Sequence, residues 1–85
     1  MGRRRSEVSV LIDVLGVALS GVKVTHLMYK ANLSYSTLHK YLSGALDKGL
    51  ICKVHNGDGS VVYHTTEEGK LLLEKLQDIR GCLRD

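Results

Sequence analysis

Apolar side chains recur along this chain at two different periods, and the change of period outlines its elements. From Glu7 to Leu19 the positions Val8, Leu11, Ile12, Leu15, Ala18 and Leu19 follow one another at helical spacing, and Ser6 stands where a hydroxyl can cap the first turn. Gly21 ends this helix. Val22–Val24 reads as a short extended stretch, and Thr25 as the cap of a second helix with Leu27 and Met28 on its apolar side. Asn32 suits the end of that helix because it tolerates the left-handed conformation. Ser34 caps a third helix reaching to about Lys48, with Leu38, Leu42, Ala45 and Leu46 as its stripe and Gly49 as its stop. Two helices joined by so short a turn form a helix-turn-helix.

After Gly49 the pattern becomes that of strands. Leu50–Val54 and Val61–Thr65 are β-branched or alternating and flank Asn56-Gly57-Asp58-Gly59, a composition that favours a tight reversal and so a hairpin. Thr65 or Thr66 then caps a last helix with Glu67 and Glu68 in its first turn, where acids suit the helix dipole. In that helix Leu72, Leu76, Ile79 and Leu83 are spaced four, three and four apart, a heptad seam. Leu71 and Leu73 point elsewhere, toward the main core. A seam that outruns so small a domain predicts a second copy of the chain as its partner. A helix folded back on its own domain is the other way to cover it.

At 85 residues there is room for one domain and a modest core, but not for a large enclosed active site. With apolar residues at 44% and no Phe, Trp or Pro, that core must be aliphatic. Cys52 and Cys82 are isolated from each other, which suits a reducing compartment better than a disulfide framework. No apolar run approaches the ~18–20 residues of a membrane span, and Met1-Gly2-Arg3-Arg4-Arg5 lacks the apolar stretch of a signal peptide. The expectation is a soluble, cytoplasmic protein. Charge is unevenly spread: residues 1–55 carry eight Lys and Arg against three acids, whereas residues 56–85 carry four against six. The positive half is the one suited to a polyanion.

That half also holds the most distinctive surface. At about 100° per residue, Ser36, Lys40, Ser43 and Asp47 fall opposite the apolar stripe of the third helix, with Thr37, His39 and Gly44 flanking them. Ser34 and Tyr35 stand at its start. Short hydroxyls, one Lys and one His make a low, donor-rich face of the kind that enters a major groove and meets phosphates and base edges. The hairpin offers Lys53, His55 and Asn56 where a wing would reach the nucleic-acid backbone, and Arg3, Arg4 and Arg5 form a basic arm able to neutralise phosphates. Tyr41 and Tyr63 follow the apolar faces and are read as core. Cys52, His55 and His64 lack the fourth ligand a zinc site draws from paired clusters. No nucleophile–base pair or phosphate-cradling Gly-rich loop stands out, so neither an enzyme nor a cofactor is expected. The competing class is a protein-interaction module docked on a larger complex, whose third helix and wing should be more apolar than these are.

The stretch Met28-Tyr29-Lys30-Ala31-Asn32-Leu33-Ser34-Tyr35 resembles the small archaeal winged-helix DNA-binding proteins, both chromosomal proteins and transcriptional regulators. Leu38, Tyr41-Leu42, Leu46, Lys48-Gly49-Leu50-Ile51, Thr66-Glu67-Glu68-Gly69-Lys70 and Leu72-Leu73 continue the likeness, which covers about Ser6 to Leu76. It implies a mainly helical α+β fold: a winged helix-turn-helix with a coiled-coil-like C-terminal dimerisation helix. It also implies double-stranded DNA as partner, with the third helix in the major groove. The division of the chain is then a basic arm at 1–5, a DNA-binding domain at 6–66, and a dimerisation helix at 67–85 through Leu72, Leu76, Ile79 and Leu83. Thr65 departs from the family, which usually has an aliphatic residue there.

Overall fold

The computed structural model of the protein describes residues 6–83, with side chains as far as Gly81; Arg3, Arg4, Arg5 and the Leu83 side chain lie outside that range. Helix α1 spans Glu7–Val17 and tightens into a 3-10 turn at Ala18–Ser20. Ser6 caps it, its Oγ accepting the Ser9 N–H at 3.1 Å. The α-helix thus stops short of Leu19, and the turn ends at Gly21 with φ +79°, a conformation glycine adopts without steric cost.

Helices α2 (Val24–Ala31) and α3 (Tyr35–Asp47) follow. Thr25 does not cap α2: the cap position is Lys23, which makes no side-chain bond there. The cause is tertiary. Val22 is held extended by Tyr63, each N–H donating to the other's carbonyl at 3.0 and 2.7 Å, so the chain leaves this bridge directly into the helix and Val24 is helical, not extended. Asn32 closes α2 in the left-handed region at φ 56° and ψ 53°, while the Leu33 N–H returns to the Met28 carbonyl at 3.0 Å, as expected of such a helix end.

Strands β1 (Ile51–His55) and β2 (Val61–Thr65) pair antiparallel, Ile51 opposite Thr65 and His55 opposite Val61. Leu50 is not part of β1, because its N–H closes the end of α3 on the Ala45 carbonyl at 2.8 Å. Helix α4 runs Glu67–Leu83. The centre of the core is made of fully buried aliphatic side chains: Val14 and Leu15 of α1, Leu27 of α2, Leu38 of α3 and Ile51 of β1. At about 1.5–3 kcal/mol for each such side chain, this cluster is the main stabilising term.

The elements are locked together where β2 meets α4. Thr65 is the only buried polar side chain among the described residues, and its hydroxyl donates to the Leu15 carbonyl at 2.7 Å. Leu15 is in the last turn of α1, whose carbonyls lack donors within the helix. Thr66 caps α4: its Oγ1 accepts the Gly69 N–H at 3.1 Å and donates to the Gly49 carbonyl at 2.6 Å. The Thr66 N–H also reaches the Leu50 carbonyl at 3.0 Å. Gly69 is required by the same approach, since a Cβ there would overlap the Leu50 carbonyl oxygen and lie 2.6 Å from Thr65 Cγ2.

Thr65→Val keeps the shape of the side chain but leaves the Leu15 carbonyl without a donor. The expected loss is about 1–3 kcal/mol, read by thermal circular dichroism as a fall in Tm of roughly 4–8 °C per kcal/mol; an unchanged Tm would mean the bond contributes nothing. Two helical glycines should respond in opposite directions. Gly69→Ala should destabilise by about 1–3 kcal/mol through overpacking, whereas Gly44→Ala, whose Cβ meets nothing within 4 Å, should stabilise by up to about 1 kcal/mol through helix propensity.

Candidate nucleic-acid interface

The exposed side of α3 is fixed by what its other side buries. Leu38, Leu42 and Ala45 are sealed in the core, so Ser36, Thr37, His39, Lys40 and Ser43 are all turned to solvent. The first turn is organised by Ser34, whose Oγ accepts the Thr37 N–H at 3.3 Å and donates to Thr37 Oγ1 at 3.0 Å. Ser36 Oγ lies 3.5 Å from Ser34 Oγ. These hydroxyls gather at the positive end of the helix dipole, where anionic oxygens are favoured. Tyr35 is 57% exposed and leans on His39, with ring centroids 5.8 Å apart. Tyr41 and Tyr63 instead are half-buried against the core, as their spacing indicates.

On the wing, Lys53 and His55 alternate onto the same face as Ile51, opposite Tyr63 and Val61, and both are exposed. Cys52 faces His64 across the pair on the other side, so His55 does not join them, and no group of three His, Cys, Asp or Glu among the described residues could hold a metal ion. The tip is a closed hydrogen-bonded turn. Asn56 N–H donates to the Ser60 carbonyl at 2.8 Å and Asn56 Nδ2 to Ser60 Oγ at 3.0 Å. Asp58 accepts the Ser60 hydroxyl at 2.7 Å and the Ser60 N–H at 2.9 Å. These two bonds, the hydroxyl's foremost, hold the Asp58 carboxyl below its ordinary range, with the charge of Lys23 acting in the same direction. The apex is therefore anionic at neutral pH and its Asn56 amide is engaged internally. A polyanion is better met by Lys53 and His55 on the strand.

A second polar cluster has no counterpart in the sequence reading. Lys23, Thr25, His26 and Tyr29 surround a depression of about 560 Å³ between α2 and Val62 of β2. Tyr29 is 82% exposed. The signal was available in the spacing: Thr25, His26 and Tyr29 share the side of α2 that Leu27 and Ala31 leave to solvent. What could not be read locally is that β2 comes alongside it.

On α4, Leu73 is buried, and Leu72 and Leu76 are half-buried against the core. Leu71 does not pack inward but is 59% exposed. Two residues separated by two positions stand about 200° apart on a helix, so Leu71 and Leu73 cannot share one core. Ile79 of the heptad seam is 50% exposed. No helix of the described residues is long and apolar enough to cross a membrane.

This architecture has clear counterparts. Sso10a-2, a DNA-binding protein from Sulfolobus solfataricus, superposes with a TM-score of 0.81 at 24% identity, over 92% of this chain and 81% of that one. The transcriptional regulator BldR of the same organism gives 0.74 at 15% identity, over 89% and 60%. A MarR-family transcriptional regulator from Silicibacter pomeroyi gives 0.72 at 21%, over 82% and 49%. In sequence, an uncharacterised protein of Methanocaldococcus jannaschii is 35% identical over 77 residues, which is 89% of this chain but only 34% of that protein. The chain thus spans about a third of that relative's length. The resemblance to archaeal winged-helix proteins read from the sequence is borne out, and the winged helix-turn-helix family model matches residues 4–83. Nearly the whole chain is accounted for in this way, and it belongs to the winged helix-turn-helix family.

Proposed function

We propose that the chain binds double-stranded DNA as a homodimer, acting as a transcriptional regulator or chromosomal DNA-binding protein, and catalyses no reaction. The observation that carries this reading is the outer face of α3: Ser36, Thr37, His39, Lys40 and Ser43 are exposed together on a helix whose opposite side is locked into the core. Lys40, Lys53 and the Arg3-Arg4-Arg5 arm supply salt-sensitive phosphate contacts, and the small polar residues of α3 meet base edges. Ser34 and Tyr35 set the entry of the helix, with His55 and Asn56 on the wing. The likeness to a protein described as DNA-binding and to transcriptional regulators supports the reading. A docking module would need an apolar centre on this face, and α3 exposes no aliphatic side chain there. A cytoplasmic, nucleoid-associated location follows from the same reading.

In this scheme residues 1–5 are the arm, 6–66 bind DNA, and 67–85 hold the dimer. Leu72 and Leu76 lean on their own core, and Ile79 together with Leu83 continues their seam to the partner. The exposed Ile79 supports this assignment.

Binding to a generic duplex, followed by fluorescence anisotropy across a salt series, should fall with a log–log slope of about −0.9 per neutralised phosphate. Lys40→Ala should weaken it and flatten the slope by about 0.9 per subunit. A folded protein that shows no binding at low salt would sink the proposal. For the dimer, Ile79→Glu removes one buried aliphatic from each of two symmetric chains, at about 1.5–3 kcal/mol each. The dissociation constant should rise on the order of a hundredfold or more in sedimentation velocity; unchanged sedimentation would place the dimer contact elsewhere.

A further inference from the structure

Helices α1, α3 and α4 leave a groove of about 400 Å³ between them, within the range of small-molecule sites. Its floor is apolar: Leu11, Tyr41, Leu50 and Leu72, each only half-buried. Lys40 and Lys48 stand on the α3 rim, both exposed, and Glu7 lies at the α1 end, so the mouth carries a net positive charge. Gly44 sits midway between the two lysines, one turn from each. At about 1.5 Å rise per residue the lysine backbones are ~12 Å apart, a gap that two flexible four-carbon arms can close over the glycine.

Gly44 itself calls for an explanation. A Cβ there would meet nothing within 4 Å, and its φ is not in the left-handed region, so neither packing nor backbone geometry requires glycine. In an exposed helix interior it nevertheless costs about 1 kcal/mol relative to alanine. What the missing side chain does is leave the groove open between two ammonium groups. A phosphate backbone would use the lysines and leave the apolar floor bare. A purely apolar partner would cover the floor and bury two charges, which is costly without a counter-ion.

We infer that this groove binds an amphipathic organic carboxylate, its apolar body on Leu11, Tyr41, Leu50 and Leu72 and its carboxylate held by Lys40 and Lys48 above Gly44. Because Lys40 also belongs to the proposed DNA face, an occupied groove draws it away from phosphate, and ligand and duplex weaken each other by the same factor. That coupling rests on the DNA-binding reading; binding to the DNA-free protein does not.

Octanoate is therefore titrated first into the full chain without DNA, followed by amide NMR, with octanol as the uncharged counterpart. The expected result is saturable shifts centred on Gly44, Leu50 and Leu72, with octanol about tenfold weaker or worse. Lys48→Ala should weaken octanoate by about tenfold, and Gly44→Leu, which fills the mouth, should abolish binding while the circular dichroism spectrum is retained. Shifts that do not saturate, equal affinity for octanol, or indifference to Lys48→Ala would overturn the proposal. So would a groove filled by a second copy of the chain, seen as no octanoate binding together with a change of sedimentation in Gly44→Leu. Duplex anisotropy with and without octanoate then reads the coupling. A duplex that never binds would count against the function proposed above and leave the NMR result standing.

Discussion

The hydrogen bond from the Thr65 hydroxyl to the Leu15 carbonyl joins residues fifty positions apart, and the placement of the wing and of α4 depends on it. A helix that ends inside a core leaves carbonyls without donors, and a buried acceptor left unpaired costs about 1–3 kcal/mol. Here the last residue of β2 supplies the donor, so the strand can dock on the end of α1 in only one register. Thr66 then uses its backbone and hydroxyl on Leu50 and Gly49, which fixes the end of α3 to the start of α4. The absent side chain of Gly69 lets the two backbones come that close.

With both ends of its surroundings fixed, α3 has no freedom in how it distributes its side chains. Leu38, Leu42 and Ala45 face inward, and the hydroxyls, His39 and Lys40 therefore face outward. The wing is constrained by a different force. Its apex is held by Asp58, a carboxylate that accepts two bonds from Ser60, so the residue that rigidifies the turn also makes its tip repel anions. Rigidity and attraction are thus assigned to different parts of one hairpin, the tip and the strand.

Most of this fold was legible because its signals are local. Ser6, Asn32 and Ser34 act on backbone groups within a few residues, and the hairpin is announced by alternation and a Gly-rich turn. Expectations failed where a distant residue decided the outcome. Thr25 has the chemistry of a cap, but the Val22–Tyr63 bridge starts the helix earlier. Of the two threonines that could cap α4, the nearby one does, while Thr65 turns to α1. Its place in a strand, where the resembling family usually has an aliphatic residue, concealed a donor required by another helix. The candidate site was legible to the same degree. The face of α3 follows from its own period, whereas the cluster of Lys23, Thr25, His26 and Tyr29 is complete only when β2 lies beside α2.

In the proposed dimer the two sides of α4 would serve two purposes with one helix. Leu73 is committed to the core, and Leu72 and Leu76 are only half covered by it. A separate dimerisation unit would need its own apolar core. In the proposed dimer a half-buried leucine such as Leu76, at the margin of an existing core, avoids that need, because a second chain has only to finish covering it. The final turns beyond Leu76 leave the domain and have little stability as an isolated helix. Ile79 and Leu83 of these turns lie on the same seam in the sequence, so the association that would cover them would also hold those turns helical. Folding of the helix end and pairing of the chains are, in that arrangement, one equilibrium.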